Sequence, residues 1–330
     1  LKSVLTYLIT LCSVCIHAQH FQFSQFYAAQ IYLNPAFTGA NSCPRFSLNY
    51  RNQWSNIPGT FTTYQVSYDR PLSQINSGIG FSLFSDKAGV GSLKTTQFNL
   101  LYAYELKLTK TLFGRAGLSA GFTQRKIDYS KLIFGDQIAR GGNVGTVEDV
   151  SNIRTVYFDM NMGYLFYTSN AWGGFSLNHL TQPNQSLQGG NSPLPIQLMF
   201  HGGYKFLIEE NATNSKDQHS ITAAINYKKE LKFNQIDLGC YYSKGYLVLG
   251  LWYRGIPVYK PFKWYANNDA LLFLIGLSTD KLRIGYSFDY TLSKLTINNT
   301  NGTHEISLTY PLCPKKKKKK RPVLISCPKF

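Results

Sequence analysis

Charge is scarce in this sequence: Asp, Glu, Lys and Arg together supply 15% of 330 residues, against about a quarter in ordinary soluble proteins. After the first sixteen residues no apolar run reaches the 18 or so needed for a membrane-spanning helix. Cysteine is sparse: the one CxxC spacing, Cys12–Cys15, falls in the apolar leader, and Cys43, Cys240, Cys313 and Cys327 after it show no such spacing and no His-rich cluster, so no metal-site pattern is expected in the mature chain. Gly-x-Ser-x-Gly and His-Glu-x-x-His do not occur. His20, His179, His201, His219 and His304 are dispersed along the chain. A barrel lipase could still bring Ser176 and His179 together without a linear motif, but isolated Ser and His in a lumen are more often satisfied polar groups. We therefore expect no enzyme, no cofactor and no metal.

Negative charge is also short, 17 acidic against 34 basic residues, for a formal net charge of +17. Such an excess suggests nucleic acid, yet seven of the positive charges lie in one run, Lys315–Arg321, and the others are scattered. No helix-turn-helix, zinc-finger or RNA-binding sheet motif is present, so nucleic acid is not an expected partner. The run itself reads as a solvated segment, or as one attracted to anionic lipid headgroups or an acidic periplasmic partner.

Aromatic residues are abundant: 23 Tyr and 22 Phe. The stretch Leu93–Leu108 shows how they are used. Its even positions include Phe98, Leu100, Tyr102, Tyr104 and Leu106, and its odd positions Thr95, Gln97, Asn99, Glu105 and Lys107. Side chains of a strand alternate between faces, so one face suits hydrocarbon and the other water. Leu112, Ala116, Leu118, Ala120 and Phe122 alternate likewise with Arg115, Ser119, Thr123 and Arg125. So do Val156, Phe158, Met160, Met162 and Tyr164 with Thr155, Asp159 and Asn161, and Ile284, Tyr286, Phe288 and Tyr290 with Arg283, Ser287 and Asp289.

Fourteen such segments are predicted, at 45–55, 60–70, 77–85, 93–107, 112–126, 153–167, 171–181, 196–208, 218–228, 233–243, 246–255, 270–278, 281–291 and 304–311. Strands of this length with outward aromatics are those of a transmembrane β-barrel, and closure is required because unpaired backbone is costly in lipid. Even-numbered connections such as 108–111, 168–170 and 243–245 are short, whereas 127–152, 182–195, 256–269 and 292–303 are long. Short periplasmic turns and long outer loops are the rule for such barrels, which places both mature termini in the periplasm. The fold class is thus an all-β, antiparallel outer-membrane barrel of about fourteen strands.

Before the barrel, Lys2, an apolar stretch from Val4 to Ile16 and Ile16-His17-Ala18 form an export signal. Cys12 and Cys15 lack the preceding small residue of a lipidation site. The expected organisation is a signal peptide at 1–18, an N-terminal plug or periplasmic segment at 19–44, the barrel at 45–311 and a basic periplasmic tail at 312–330. Cys240 falls on an apolar strand face as a small hydrophobe. Cys313 and Cys327 flank the Lys run and are the candidate disulfide pair, although connectivity is not encoded in sequence.

Several motifs stand out. In Asp86-Lys-Ala-Gly-Val-Gly-Ser92 the glycines permit positive φ and Asp86 suits a rigid outer turn; a phosphate loop would need Gly-Lys-Ser/Thr opening a helix. Arg51 and Gln53 share a face and can reach a plug or loop, and Trp54 suits the interface belt. Loop 127–152, with Asp128, Asp136, Glu148 and Asp149, is the longest candidate partner surface. Arg115, Asp159, Arg283 and Asp289 are candidate lumen residues.

Taken together, QFSQFYAAQIYLNPAFTGA, RNQW, SYDRPL, SDKAGVGSLKTTQ and IDYSKLIFGDQI resemble the PorP/SprF family, outer-membrane proteins of the Bacteroidetes type IX secretion system. The matching positions are Asn34, Pro35, Ala36, Arg51, Gln53, Trp54, Asp86, Gly89, Gly91, Ser92, Gly135 and Asp136; the Lys run departs from the family pattern. The resemblance implies a barrel that is not itself the export pore. Implied partners are a secreted, adhesin-like cargo with a type IX C-terminal domain, periplasmic components of the system and outer-membrane lipid, in a setting of protein secretion and gliding motility. The alternative is a passive channel for small or apolar solutes gated by the N-terminal segment, which predicts solute flux where an anchor predicts a co-purifying protein.

Overall fold

A computed structural model describes residues 21–142, 145–147, 154–187, 189–208, 219–256, 267–279 and 281–313, and within it fourteen antiparallel strands close into a barrel. They are β1 (Arg45–Gln53), β2 (Phe61–Leu72), β3 (Ser77–Ala88), β4 (Leu93–Lys107), β5 (Phe113–Lys126), β6 (Arg154–Tyr167) and β7 (Ala171–Asn178). The second half is β8 (Gln197–Leu207), β9 (His219–Glu230), β10 (Phe233–Lys244), β11 (Leu247–Ile256), β12 (Asn267–Ser278), β13 (Arg283–Thr291) and β14 (Thr303–Pro311). Each pairs with its sequence neighbours, and β1 meets β14 from Arg45↔Pro311 to Gln53↔Thr303, leaving no edge to face lipid. No helix among the described residues is long and apolar enough to cross a membrane; the strands do the crossing.

The alternation of the sequence is the alternation of the wall. On β4, Phe98, Leu100, Tyr102 and Tyr104 are exposed on the outside, while Gln97, Asn99, Leu101 and Ala103 are buried inside. Cys240 is a free, exposed cysteine on the outer face of β10. Connections 73–76, 108–112, 168–170, 245–246 and 279–282 gather at one rim, here the turn rim. The strand ends at the other rim, the loop rim, are joined by the longer connections 127–153, 179–196, 257–266 and 292–302, but also by two short ones, 89–92 between β3 and β4 and 231–232 between β9 and β10. By the outer-membrane rule the loop rim is the cell-surface side.

Residues 21–44 do not lie under the barrel; they run through it. The chain passes down the lumen through α1 (Gln30–Leu33) and a 3-10 turn (Pro35–Phe37), and enters β1 at the turn rim. Phe26, Tyr27, Leu33 and Phe37 are buried against Trp172, Tyr241, Trp252, Leu165 and Leu272 of the wall. Phe26 sits 5.3 Å from Trp252, and Tyr27 meets Trp172 edge-on at 5.4 Å. The lumen is therefore a packed core, with inward aromatics on a face that alternation alone had marked polar.

The expected disulfide pairing needs correction. Cys313 is bonded to Cys43, not to Cys327, because Cys43 precedes β1 and Cys313 follows β14, and the adjacent strands bring their Cα atoms to 5.1 Å. The N-terminal segment, expected as a plug or periplasmic segment, is a plug over its described length: Phe21–Gln25 occupy the loop-rim half of the lumen, beside Phe84, Asp289 and Glu305. Residues 1–18, Glu148, Asp149, the Lys315–Arg321 run and Cys327 lie outside the described residues.

Candidate functional site

The lumen is built in three tiers. Nearest the turn rim, the plug turn Asn34–Gly39 is gripped by the wall. Arg115, fully buried on β5, donates from Nε to the Ala36 carbonyl at 3.0 Å and from Nη2 to that of Thr38 at 2.6 Å, while Nη1 meets Glu105 at 2.6 Å. Asn34 donates from Nδ2 to the Tyr164 and Phe175 carbonyls, and its Oδ1 accepts from Ala36 N–H at 2.8 Å. Asp69 accepts from Gly39 N–H at 2.7 Å and from Arg45 Nε at 2.5 Å, and Arg45 also reaches Gln30. Wall glycines make the room: a Cβ on Gly117 would lie 2.3 Å from Ala36 N, and one on Gly163 2.0 Å from Asn34 Oδ1. Asn34, Pro35 and Ala36 are thus plug-to-wall residues.

The middle tier is a small cavity of about 50 Å³ between Tyr32 and Pro35 of the plug and Gln65, Gln97, Asn99 and His179 of the wall. Asp159 Oδ2 and His179 Nδ1 are 2.6 Å apart beside it. Ser176, which could have partnered His179 in a hydrolase, instead donates to the Leu33 carbonyl at 3.0 Å. Its hydroxyl is a plug tie.

In the upper tier two arginines and three carboxylates hold Ser24 and Gln25. Arg51 Nη1 lies 3.1 Å from Glu305, 3.2 Å from Asp289 and 2.6 Å from Ser24 Oγ. Arg254 donates from Nε to Asp237 at 2.8 Å, from Nη1 to Asp289 at 3.2 Å and from Nη2 to Ser24 Oγ at 3.1 Å. Glu305 accepts from the backbone N–H groups of both Ser24 and Gln25, at 2.7 and 3.0 Å. All five charged side chains are buried, so each depends on its partners; removing one would strand another.

Above this network opens a cavity of about 290 Å³ at the loop rim. Four motif residues line it: Arg51, Gln53, Trp54 and Asp86, together with Phe61, Arg125, Tyr157 and Arg254. Trp54 therefore does not join the lipid belt. Its backbone turns at φ +59°, donates to the Gly302 carbonyl, and sets the indole edge-on to Phe61 at 5.6 Å. Asp86 is not in the turn either; it lies two residues before the end of β3, faces inward and accepts from Thr63 Oγ1 at 2.7 Å. Loop 179–196 folds over the mouth, where Arg125 bonds Gln185.

The remaining motif residues build the loops around this mouth. Gly89 (φ +71°) and Ser92 (φ +47°) form the β3–β4 turn, and Gly91 receives the Asp128 N–H at its carbonyl. A side chain on Gly91 would meet Leu132. Gly135 and Asp136 open a short helix, α2 (Gly135–Ala139). Asp136 accepts from Val147 N–H at 3.0 Å and Thr146 Oγ1 at 2.9 Å and pairs with Arg140, so the Val147 N–H above all holds its carboxyl below the usual range. Arg283 lies at the start of β13 on its inward face, far from the mouth.

The barrel is similar in fold to the toluene transporter TodX of P. putida, at 13% identity and a TM-score of 0.51, covering 85% of this chain and 93% of that one. It is likewise similar to the toluene transporter TbuX of Ralstonia pickettii, at 13% identity and a TM-score of 0.50, covering 86% and 93%. No curated protein matches the sequence. The family comparison agrees with the motifs and the fold: residues 16–310 match the type IX secretion system membrane protein family PorP/SprF. This chain belongs to that family and is a non-enzymatic, outer-membrane β-barrel component of type IX secretion.

Proposed function

We propose that the barrel is a plugged docking platform, which receives the C-terminal secretion domain of a large, adhesin-like cargo at its loop rim and so supports export or surface anchoring. One observation carries this reading. The lumen is filled by a segment bonded to the wall through buried charges in its upper and lower tiers, whereas above it a cavity of about 290 Å³, partly covered by loop 179–196, is lined by Trp54, Phe61 and Tyr157 among polar groups. Aromatic anchors ringed by hydrogen-bonding groups are what a protein partner uses for affinity. The turn rim is left to periplasmic components of the same system.

A gentle-detergent pull-down from the native outer membrane tests it, through an affinity tag in the 209–218 connection, with mass spectrometry of what is retained. Recovery of a large exported protein bearing a C-terminal secretion domain is expected. Replacing Trp54 and Phe61 with Ala should lower that recovery by about 30-fold or more, the cost of losing a central hot spot. Recovery of the barrel alone, under conditions that keep other secretion complexes together, overturns the proposal. The fold likeness to toluene transporters favours a second reading, a channel for small apolar solutes; toluene uptake by liposomes carrying the intact barrel would support it.

A further inference from the structure

Four cations stand in one row across the outside of the barrel at the loop rim. The strand registers pair Lys87 of β3 with Lys94 of β4, Lys94 with Lys126 of β5, and Lys126 with Arg154 of β6. All four side chains are exposed, and their strand positions put them on the lipid-facing side with Leu83, Phe98, Phe122 and Phe158. Among the described residues none of the four is ion-paired with a carboxylate.

The rows beneath say where this one sits. Two residues toward the turn rim lies Ser85–Thr96–Gln124–Val156, and two further lies Leu83–Phe98–Phe122–Phe158, with Phe122 and Phe158 in contact at 5.4 Å. An apolar row of Leu83 and three phenylalanines, then a row in which Ser85, Thr96 and Gln124 outnumber Val156, then cations is the order of a membrane boundary crossed outward. The cations therefore lie at the headgroup end of these strands on the surface leaflet, in a row that slants with the strand tilt of about 35–45°. Neighbouring strands are about 4.8 Å apart, so the row spans roughly 15 Å.

Like charges directly opposite one another on adjacent strands destabilise a sheet. A row of four is a standing cost unless an anion covers it. We propose that this row is a binding site for a phosphorylated glycolipid of the surface leaflet. Its phosphates would lie along Lys87, Lys94, Lys126 and Arg154 and its acyl chains against the phenylalanines below. Lys and Arg near a lipid surface each contribute about 1 kcal/mol, or fivefold, and the contribution falls with salt.

The test is native mass spectrometry of the full barrel, delipidated in detergent and titrated with purified lipopolysaccharide, with the same material after phosphatase treatment, and with phosphatidylglycerol. For wild type, binding of the phosphorylated glycolipid and at least tenfold weaker binding of the dephosphorylated form are expected. The Lys94→Gln/Lys126→Gln variant should bind the phosphorylated form roughly 30-fold more weakly. Its heat-modifiable migration should be retained, and without glycolipid it should unfold at a temperature no lower than wild type because a repulsion has been removed. Equal binding by variant and wild type, indifference to phosphatase treatment, or phosphatidylglycerol bound as tightly as the glycolipid overturns the proposal.

Discussion

Glu305 accepts from two plug N–H groups while its Oε2 faces Arg51, so Glu305→Ala removes two acceptors and a counter-charge together. Breaking a buried pair in this way costs about 3–5 kcal/mol. The barrel ladder does not run through this side chain, so the loss should fall on the plug. Amide hydrogen exchange at Ser24 and Gln25 should quicken by more than a hundredfold while β14 stays protected. Asp136 offers a pH-dependent counterpart. Its carboxyl is held below the usual range by Val147 N–H, then Thr146 and Arg140, so the clasp is fully present above the unfolded value of about 3.9 and is lost as pH falls through the lower folded value. Limited proteolysis of loop 127–153 should be unchanged between pH 7 and 5 and rise only once the pH falls below the unfolded value of about 3.9. Asp136→Asn should show the raised cutting at every pH.

The plug is the element whose fit is most exacting, because its turn lies against glycine backbone. Gly163→Val places a side chain where Asn34 Oδ1 now sits, and overpacking of this kind costs about 1–3 kcal/mol. The temperature at which the barrel loses its heat-modifiable migration should fall, and Asn34→Ala in the same chain should recover part of the loss. The strands themselves were legible from alternation because lipid outside and polar groups inside differ sharply, and β4 was predicted at its observed bounds, 93–107. What alternation could not convey was the plug. Trp172, Tyr241 and Trp252 break the polar inner face because they pack on Phe26 and Tyr27, contacts more than a hundred residues apart in sequence. A signal was present in β12, where Ala270–Leu277 is apolar on both faces, as a strand buried on both sides must be. Alternation points Arg51 and Gln53 to one shared face, but it does not carry Trp54 and Asp86 into the mouth, since one positive φ and the three residues by which β3 runs past 85 decide where they point.

At the scale of the molecule, the seam between β1 and β14 is the place where a closed sheet could reopen, and Cys43–Cys313 lies beside it. The bridge closes a sequence separation of 270 residues, for which loop entropy gives roughly 5 kcal/mol. Cys313→Ser should fold to the same barrel but lower its urea midpoint, and reductant should lower the wild-type midpoint to match while leaving the variant unmoved. The position of the bridge has a mechanical meaning as well. If the barrel holds a large adhesin, as proposed above, it would be tugged whenever the cell drags against a surface, and a hydrogen-bonded seam under such a load can unzip one rung at a time. With its first and last strands joined covalently, the barrel is a hoop, and hoop tension reaching the seam is carried by a sulfur–sulfur bond before it is carried by the ladder.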